Sequence, residues 1–277
     1  MHDKNREVVG GVDTHLEIHV AAVVDEIGRI IDTASFPATR SGYRRLLGWM
    51  RRHGCVVRVG VEGTGAYGAG LARFLAAAGV EVVEVNRPDR QLRRRRGKSD
   101  TVDAEAAARA ALNGDATAVP KSGDGQVEGL RALRIARRSA VKARTQAGLQ
   151  IRDLILTAPD ELRARLEPLA AADRAGVCAR FRPGDSNNPT QATKLALRHL
   201  ARRYETLSDE IAELDDVIAK LCAQINPALL GAKGIGPEVA ATLLVVAGDN
   251  PSRMHSEAAF AALCGAAPIE ASSGRVT

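Results

Sequence analysis

Aromatic side chains are scarce in this sequence: one Trp, three Tyr and four Phe among 277 residues, or 3%. Any core must be filled by Ala, Leu and Val, and a composition of that kind favours helices. Cysteine is also rare. Cys55, Cys178, Cys222 and Cys264 stand far apart and form no C-x-x-C pair, which excludes zinc ribbons and thioredoxin-like motifs and suits a reducing compartment. No apolar run approaches the roughly 18 residues of a membrane span. The opening MHDKNREVVG has no apolar signal region. The expectation is a soluble, cytoplasmic chain with no membrane partner. Charge of neither sign is missing: 39 Lys and Arg against 33 Asp and Glu leave +6, a mild excess whose placement matters more than its size.

What is there falls into three tracts. Val8–Val12, Leu16–Val24 and Arg29–Phe36 read as three strands in succession, an antiparallel meander. A helix over Ser41–Arg52, a strand at Val56–Val61, a helix over Tyr67–Ala78 and a strand at Val80–Val85 follow. Strand–helix–strand units of this kind pair in parallel. Residues 1–118 thus read as an α/β domain with a mixed sheet, closed by a helix over Asp100–Leu112 that Ser99 caps. Asn113–Gln126, rich in Gly, Pro, Ser and Asp, reads as a linker. Residues 119–225 hold two long helical stretches, 127–157 and 190–223, with the tract Arg174–Pro189 as a loop. Leu207, Ile211, Leu214, Ile218 and Leu221 space like a heptad seam, which predicts a helical coiled-coil arm able to associate with a second copy. Residues 226–277 read as a small helical domain punctuated by Gly and Pro.

Four acids suggest chemistry. Asp13 ends the first strand and Glu62 the central one, and Asp100 and Asp103 share one helix face. Were the two strands neighbours, Asp13 and Glu62 would sit side by side at their carboxyl ends. Carboxylates crowded in this way repel one another unless cations lie between them. Hard divalent ions bound through oxygen answer that need, and a two-metal site can drive phosphodiester displacement. Taken singly, Asp100 and Asp103 also suit a helix N-terminus, and Asp13 and Glu62 could be solvated acids at strand ends. Beside Asp100 runs a basic block containing Arg87, Arg90, Arg93, Arg94, Arg95, Arg96 and Lys98. A block this dense repels itself unless a polyanion is present, and it fits the phosphates of nucleic acid or a solvated loop. Gly63-Thr-Gly65-Ala-Tyr-Gly68 matches G-x-G-x-x-G, the dinucleotide fingerprint. The charge of Glu62 beside its first glycine opposes a pyrophosphate, and the glycines also suit a tight turn that leaves Glu62 open. Lys233, Gly234 and Gly236 sit in a Gly-Ile-Gly turn before a helix, which fits either the phosphate-binding hairpin of a helix-hairpin-helix module or a plain corner between helices.

In order along the chain come Gly11-Val-Asp13-Thr-His15, Val59-Gly-Val-Glu62-Gly-Thr-Gly-Ala-Tyr67 and Gly97-Lys-Ser-Asp100-Thr-Val-Asp103-Ala. They are followed by Gly234-Ile-Gly236-Pro and by Phe260-Ala-Ala-Leu-Cys-Gly265-Ala-Ala-Pro268 leading to Ser273-Gly274. Together these stretches resemble the DEDD-type insertion-sequence transposases of the insertion sequence 110/1111 family, the RNA-guided recombinases. The resemblance implies a RuvC-like, RNase H-type first domain with Asp13, Glu62, Asp100 and Asp103 as catalytic ligands of Mg2+. It implies a coiled-coil arm and a C-terminal transposase domain with a serine that attacks DNA, mapped to Ser273 with Ser272 as its neighbour. DNA and an element-encoded guide RNA are the implied partners, in a homo-dimer or tetramer associated with the nucleoid. Family members continue past the Ser-Gly with a basic segment and a further helix, so a stop at Thr277 reads as a C-terminal truncation. The other readings are a RuvC-like, metal-dependent nuclease without serine chemistry, a nucleic-acid-binding remnant that cuts nothing, and a dinucleotide enzyme.

Overall fold

The computed structural model describes residues 6–85 and 99–267. The chain divides into two compact units, one of Met1–Gly125 with Ala247–Thr277, the other of Gln126–Val246.

The first unit is built on a mixed five-stranded sheet. β1 (Glu7–Thr14), β2 (Ile18–Val24) and β3 (Ile30–Pro37) form the antiparallel meander. β4 (Cys55–Glu62) pairs in parallel with β1, and β5 (Glu81–Val85) in parallel with β4. The strand order is β3-β2-β1-β4-β5, which places β1 at the centre. Helix α1 (Arg40–Met50) connects β3 to β4, and α2 (Ala69–Ala77) connects β4 to β5. Leu46, Met50, Leu71 and Leu75 from these helices pack with Val8, Val12, Val59 and Val61 from one face of the sheet. The α1 start is fixed by Thr39, whose side chain accepts the Gly42 amide.

The opposite face carries α3 (Asp100–Asn113). Ala107, Ala108 and Ala111 pack there with Val9, Val24, Val83 and Val85. This helix begins at Ser99, whose hydroxyl accepts the Val102 amide, and ends at Gly114 in the left-handed conformation, φ 76°.

Most boundaries differ from the sequence reading by a residue or two, and two of the shifts have a local cause. The strand expected from Leu16 starts at Ile18, because the His15 amide bonds the Ile18 carbonyl at 3.2 Å and closes the β1–β2 turn. The helix expected from Tyr67 starts at Ala69, because the Ala66 and Gly68 amides both bond back to the Gly63 carbonyl. The stretch read as a linker is also anchored. Ala118 bridges Glu84 at the sheet edge, and Asn250 donates to the Pro120 carbonyl while accepting from the Ser122 amide.

In the second unit α4 (Gln126–Leu156) and α7 (Pro189–Ile225) lie antiparallel. Leu130 packs with Ile218 and Cys222 at one end, and Ile151 and Ile155 pack with Leu197 and Ala201 at the other. Along the expected seam Ile211 and Ile218 are buried, and Leu207, Leu214 and Leu221 are half-buried. Asn188 caps α7, and a proline sits at its first turn, where no amide is needed. The sequence reading placed a loop over Arg174–Pro189, yet α6 (Ala171–Ala179) runs through its first part, after the short α5 (Asp160–Leu166). The burial of Ala175 and Cys178 against α4 and α7 holds that helix in place. α8 (Pro227–Gly231) and α9 (Pro237–Ala247) follow, joined through Gly234 at φ 85°. The first unit then receives α10 (Glu257–Leu263). All four cysteines are free thiols. Among the described residues no helix is long and apolar enough to cross a membrane.

Candidate active site

Strand alternation selects the site. In β1, Val8, Gly10 and Val12 turn toward α1 and α2, so Val9, Gly11 and Asp13 turn toward α3. In β4, Val59 and Val61 take the first face, which leaves Gly60 and Glu62 on the second. Two glycines then bring α3 down onto the sheet. A Cβ on Gly11 would lie 2.1 Å from the Ala108 nitrogen and 2.2 Å from the Ala104 oxygen. A Cβ on Gly60 would lie 2.5 Å from the Ala107 oxygen. Backbone therefore rests on backbone, and Ala104, Ala107, Ala108 and Ala111 form the face of α3 that meets the strands. Asp100 and Asp103 are four residues before Ala104 and Ala107, so they continue this face past the end of the sheet.

Asp13, Asp100 and His15 meet there. The His15 Nε2 lies 3.1 Å from Oδ2 of Asp13 and 3.4 Å from Oδ2 of Asp100. One ligand atom from each of the three falls within 4.8 Å of the others, a span that a single cation's ligand shell covers. Asp13 is buried, and burial pushes its pKa up; the nearby charges of Asp103 and Asp100 push the same way, against the pull of His15. A carboxylate raised by burial and by like charges is one that a cation would stabilise. Asp103 is buried one helical turn from Asp100. Glu62 follows Val61, the partner of Val12, and so stands across from Asp13 on the adjacent strand. The Thr14 hydroxyl donates to the Glu62 carbonyl at 2.8 Å and ties the two strand ends together. Gly63, at φ 68°, begins the turn that swings the chain away from Glu62.

Asp13 and Asp100 are thus in one cluster, with Asp103 close enough to act on Asp13 and Glu62 on the neighbouring strand end. Lys233, Gly234 and Gly236 are exposed between α8 and α9, in the other unit. Arg87, Arg90, Arg93, Arg94, Arg95, Arg96 and Lys98 lie outside the described residues, as do Ser272 and Ser273. Sequence reasoning missed His15 as a site residue. Its signal was present in Asp13-Thr-His15, a two-residue spacing at a strand end, which puts both side chains on one side.

Residues 10–158 match the DEDD-type family model described as Transposase, and that stretch covers over half of the chain. The chain belongs to the IS110 family of DEDD-type transposases. Residues 226–277 of the transposase also match the model described as Transposase IS116/IS110/IS902 family. No curated protein matches it. Family membership makes DNA the substrate class of this transposase and recombination its kind of activity, and it fits the RuvC-like α/β first unit, the long helices and the small helical C-terminal region described above.

Proposed function

We propose that this chain cuts and joins DNA for an insertion sequence, with Asp13, Glu62, Asp100 and Asp103 holding Mg2+ and Ser273 as the nucleophile. The observation that carries the reading is the approach of Asp13, His15 and Asp100 within 4.8 Å at the carboxyl edge of the sheet. Oxygen donors of this kind fit a hard divalent cation, and such an ion, when bound, supplies charge stabilisation to a phosphodiester under attack. The Ser273 Oγ attacks the phosphorus and forms a phosphoserine ester. The displaced deoxyribose oxygen takes a proton and leaves as a hydroxyl. Attack on that ester by a deoxyribose hydroxyl of a second strand joins the new ends and frees the serine.

Around this chemistry the basic block from Arg87 to Lys98 and the turn at Lys233, Gly234 and Gly236 grip phosphates without reading sequence. An element-encoded guide RNA supplies specificity by pairing with donor and target DNA. The domains are residues 1–118, 119–225 and 226–277, and the helical arm joins copies into a dimer or tetramer in the cytoplasm, on the nucleoid.

Asp13→Asn tests the reading. The variant is expected to stay folded by circular dichroism, to lose Mn2+ binding in calorimetry and to lose all joining of element ends. Full activity of the variant beside active wild type overturns the proposal. A second reading, metal-dependent hydrolysis without serine chemistry, is favoured by one observation: Asp13, His15 and Asp100 meet with no residue of the C-terminal segment among them. A covalent protein–DNA adduct that disappears in Ser273→Ala supports the first reading. Hydrolysis without an adduct supports the second.

A further inference from the structure

Tyr67 is conspicuous by its exposure. Phe36, Trp49 and Phe181 are buried, and Tyr43, Phe74, Tyr204 and Phe260 are half-buried; among the described residues Tyr67 is the one aromatic that is exposed, at 55%. In a chain with so few aromatics, leaving a large ring in water forgoes core that other side chains must supply. The ring also occupies a defined place. It stands in the turn between β4 and α2, five residues after Glu62. That turn is closed by the Gly68 amide bonding the Gly63 carbonyl at 3.0 Å. It folds back so tightly that a Cβ on Gly68, the next residue, would lie 2.8 Å from the Glu62 carbonyl oxygen. The same carbonyl accepts the Thr14 hydroxyl, one residue from Asp13. Backbone hydrogen bonds thus hold Tyr67 at the carboxyl edge of β1 and β4, the edge that carries the acids. Leu16, 70% exposed, sits in the other turn at this edge, beside His15.

We infer that Tyr67 is a stacking platform for a DNA base next to the phosphodiester held at the acidic cluster. The inference rests on the DNA-cutting reading above and adds a positioning residue to it. An acidic centre repels the phosphate backbone, so a strand held there needs an attraction that is not ionic. Base stacking on an aromatic ring supplies one, and it tolerates any sequence because every base has a π-face. The tight turn restricts the backbone that carries the ring, and a tyrosine has only two side-chain torsions to fix, so little entropy is lost on binding. A base can lie on the ring only where it is unpaired, so Tyr67 favours melted or bubble DNA at the cut.

The test uses the full chain with Mg2+ and a DNA duplex containing a short mismatched bubble with 5-iododeoxyuridine in it. Irradiation of the wild-type complex is expected to place the crosslink on Tyr67 by peptide mass spectrometry. Tyr67→Ala is expected to weaken bubble binding by roughly tenfold or more, with Tyr67→Phe and Tyr67→Trp within about twofold of wild type. Thermal melting of the free variants is expected to match wild type. Crosslinks elsewhere, unchanged binding by Tyr67→Ala, or an equal loss in Tyr67→Phe overturn the stacking role and leave the metal-site reading standing. Wild-type protein that binds no DNA in Mg2+ overturns the DNA reading, and the inference falls with it.

Discussion

At Gly11 the absence of one methyl group permits the site. Alanine there would drive its Cβ to 2.1 Å from the Ala108 backbone nitrogen, and backbone cannot swing aside as a side chain can. Gly11→Ala is expected to cost about 3 kcal/mol in chemical denaturation through overpacking. A protein that still folds must lift α3 from the sheet, so it is expected to lose Mn2+ binding although every acid is present. Asp25 serves the opposite purpose, stability without chemistry. Burial pushes its pKa up, but the amides of Arg29 and Ile27 and the charges of Arg6 and Arg29 outweigh it, and the carboxyl is held below its usual range. With the folded pKa lowered, the unfolded chain binds more protons, so this contribution is present above the ordinary carboxylate pKa of about 4 and is lost as pH falls through the folded value. Asp25→Ala is therefore expected to melt below wild type at pH 7, with the gap closing on acidification. Melting curves across that range check it, and a constant gap overturns it. At this scale the four acids stood out in the sequence as candidates because each ends a strand or opens a helix. His15 did not, because the spacing that sets it beside Asp13 says nothing of Asp100, which only the fold brings near.

At the scale of elements, the first unit was read closely from its sequence. Short runs of apolar and β-branched residues mark the strands, and Ser99 with Asp100 and Asp103 marks the start of the helix that packs on Gly11 and Gly60. The α6 helix escaped the same reading because Gly, Arg and Asp around it look like a loop. Its order comes from Ala175 and Cys178, which are buried only once α4 and α7 have paired. Cys178 shows how dry that core is, with its thiol pushed up to about 11 by burial. Leu197, fully buried at the same place, is the probe. Leu197→Ala is expected to destabilise the arm by about 2–5 kcal/mol, the range for a leucine removed from a well-packed core. Hydrogen exchange would register this as faster exchange in α4, α6 and α7.

For the whole molecule, the consequence is that each of the two units has core clusters of its own. Val8, Leu46 and Leu71 belong to one, and Ile151, Leu166 and Leu197 to the other. Leu46→Ala is accordingly expected to speed exchange in β1–β5, α1 and α2 and to spare the arm, and Leu197→Ala to do the reverse. Uniform acceleration in both units by either variant would show a single cooperative fold instead. The sequence by itself determined the strands, the long helices and the family, and it singled out the four acids as candidates, because these follow from local periodicity and from residue types at element ends. Only the tertiary structure decided that α3 presses on Gly11 and Gly60, that His15 bridges Asp13 and Asp100, and that Tyr67 is exposed at the same edge. The reason is physical: such contacts join residues dozens of positions apart, and their distances are set by how closely helix and sheet can pack, a quantity that no stretch of sequence contains on its own.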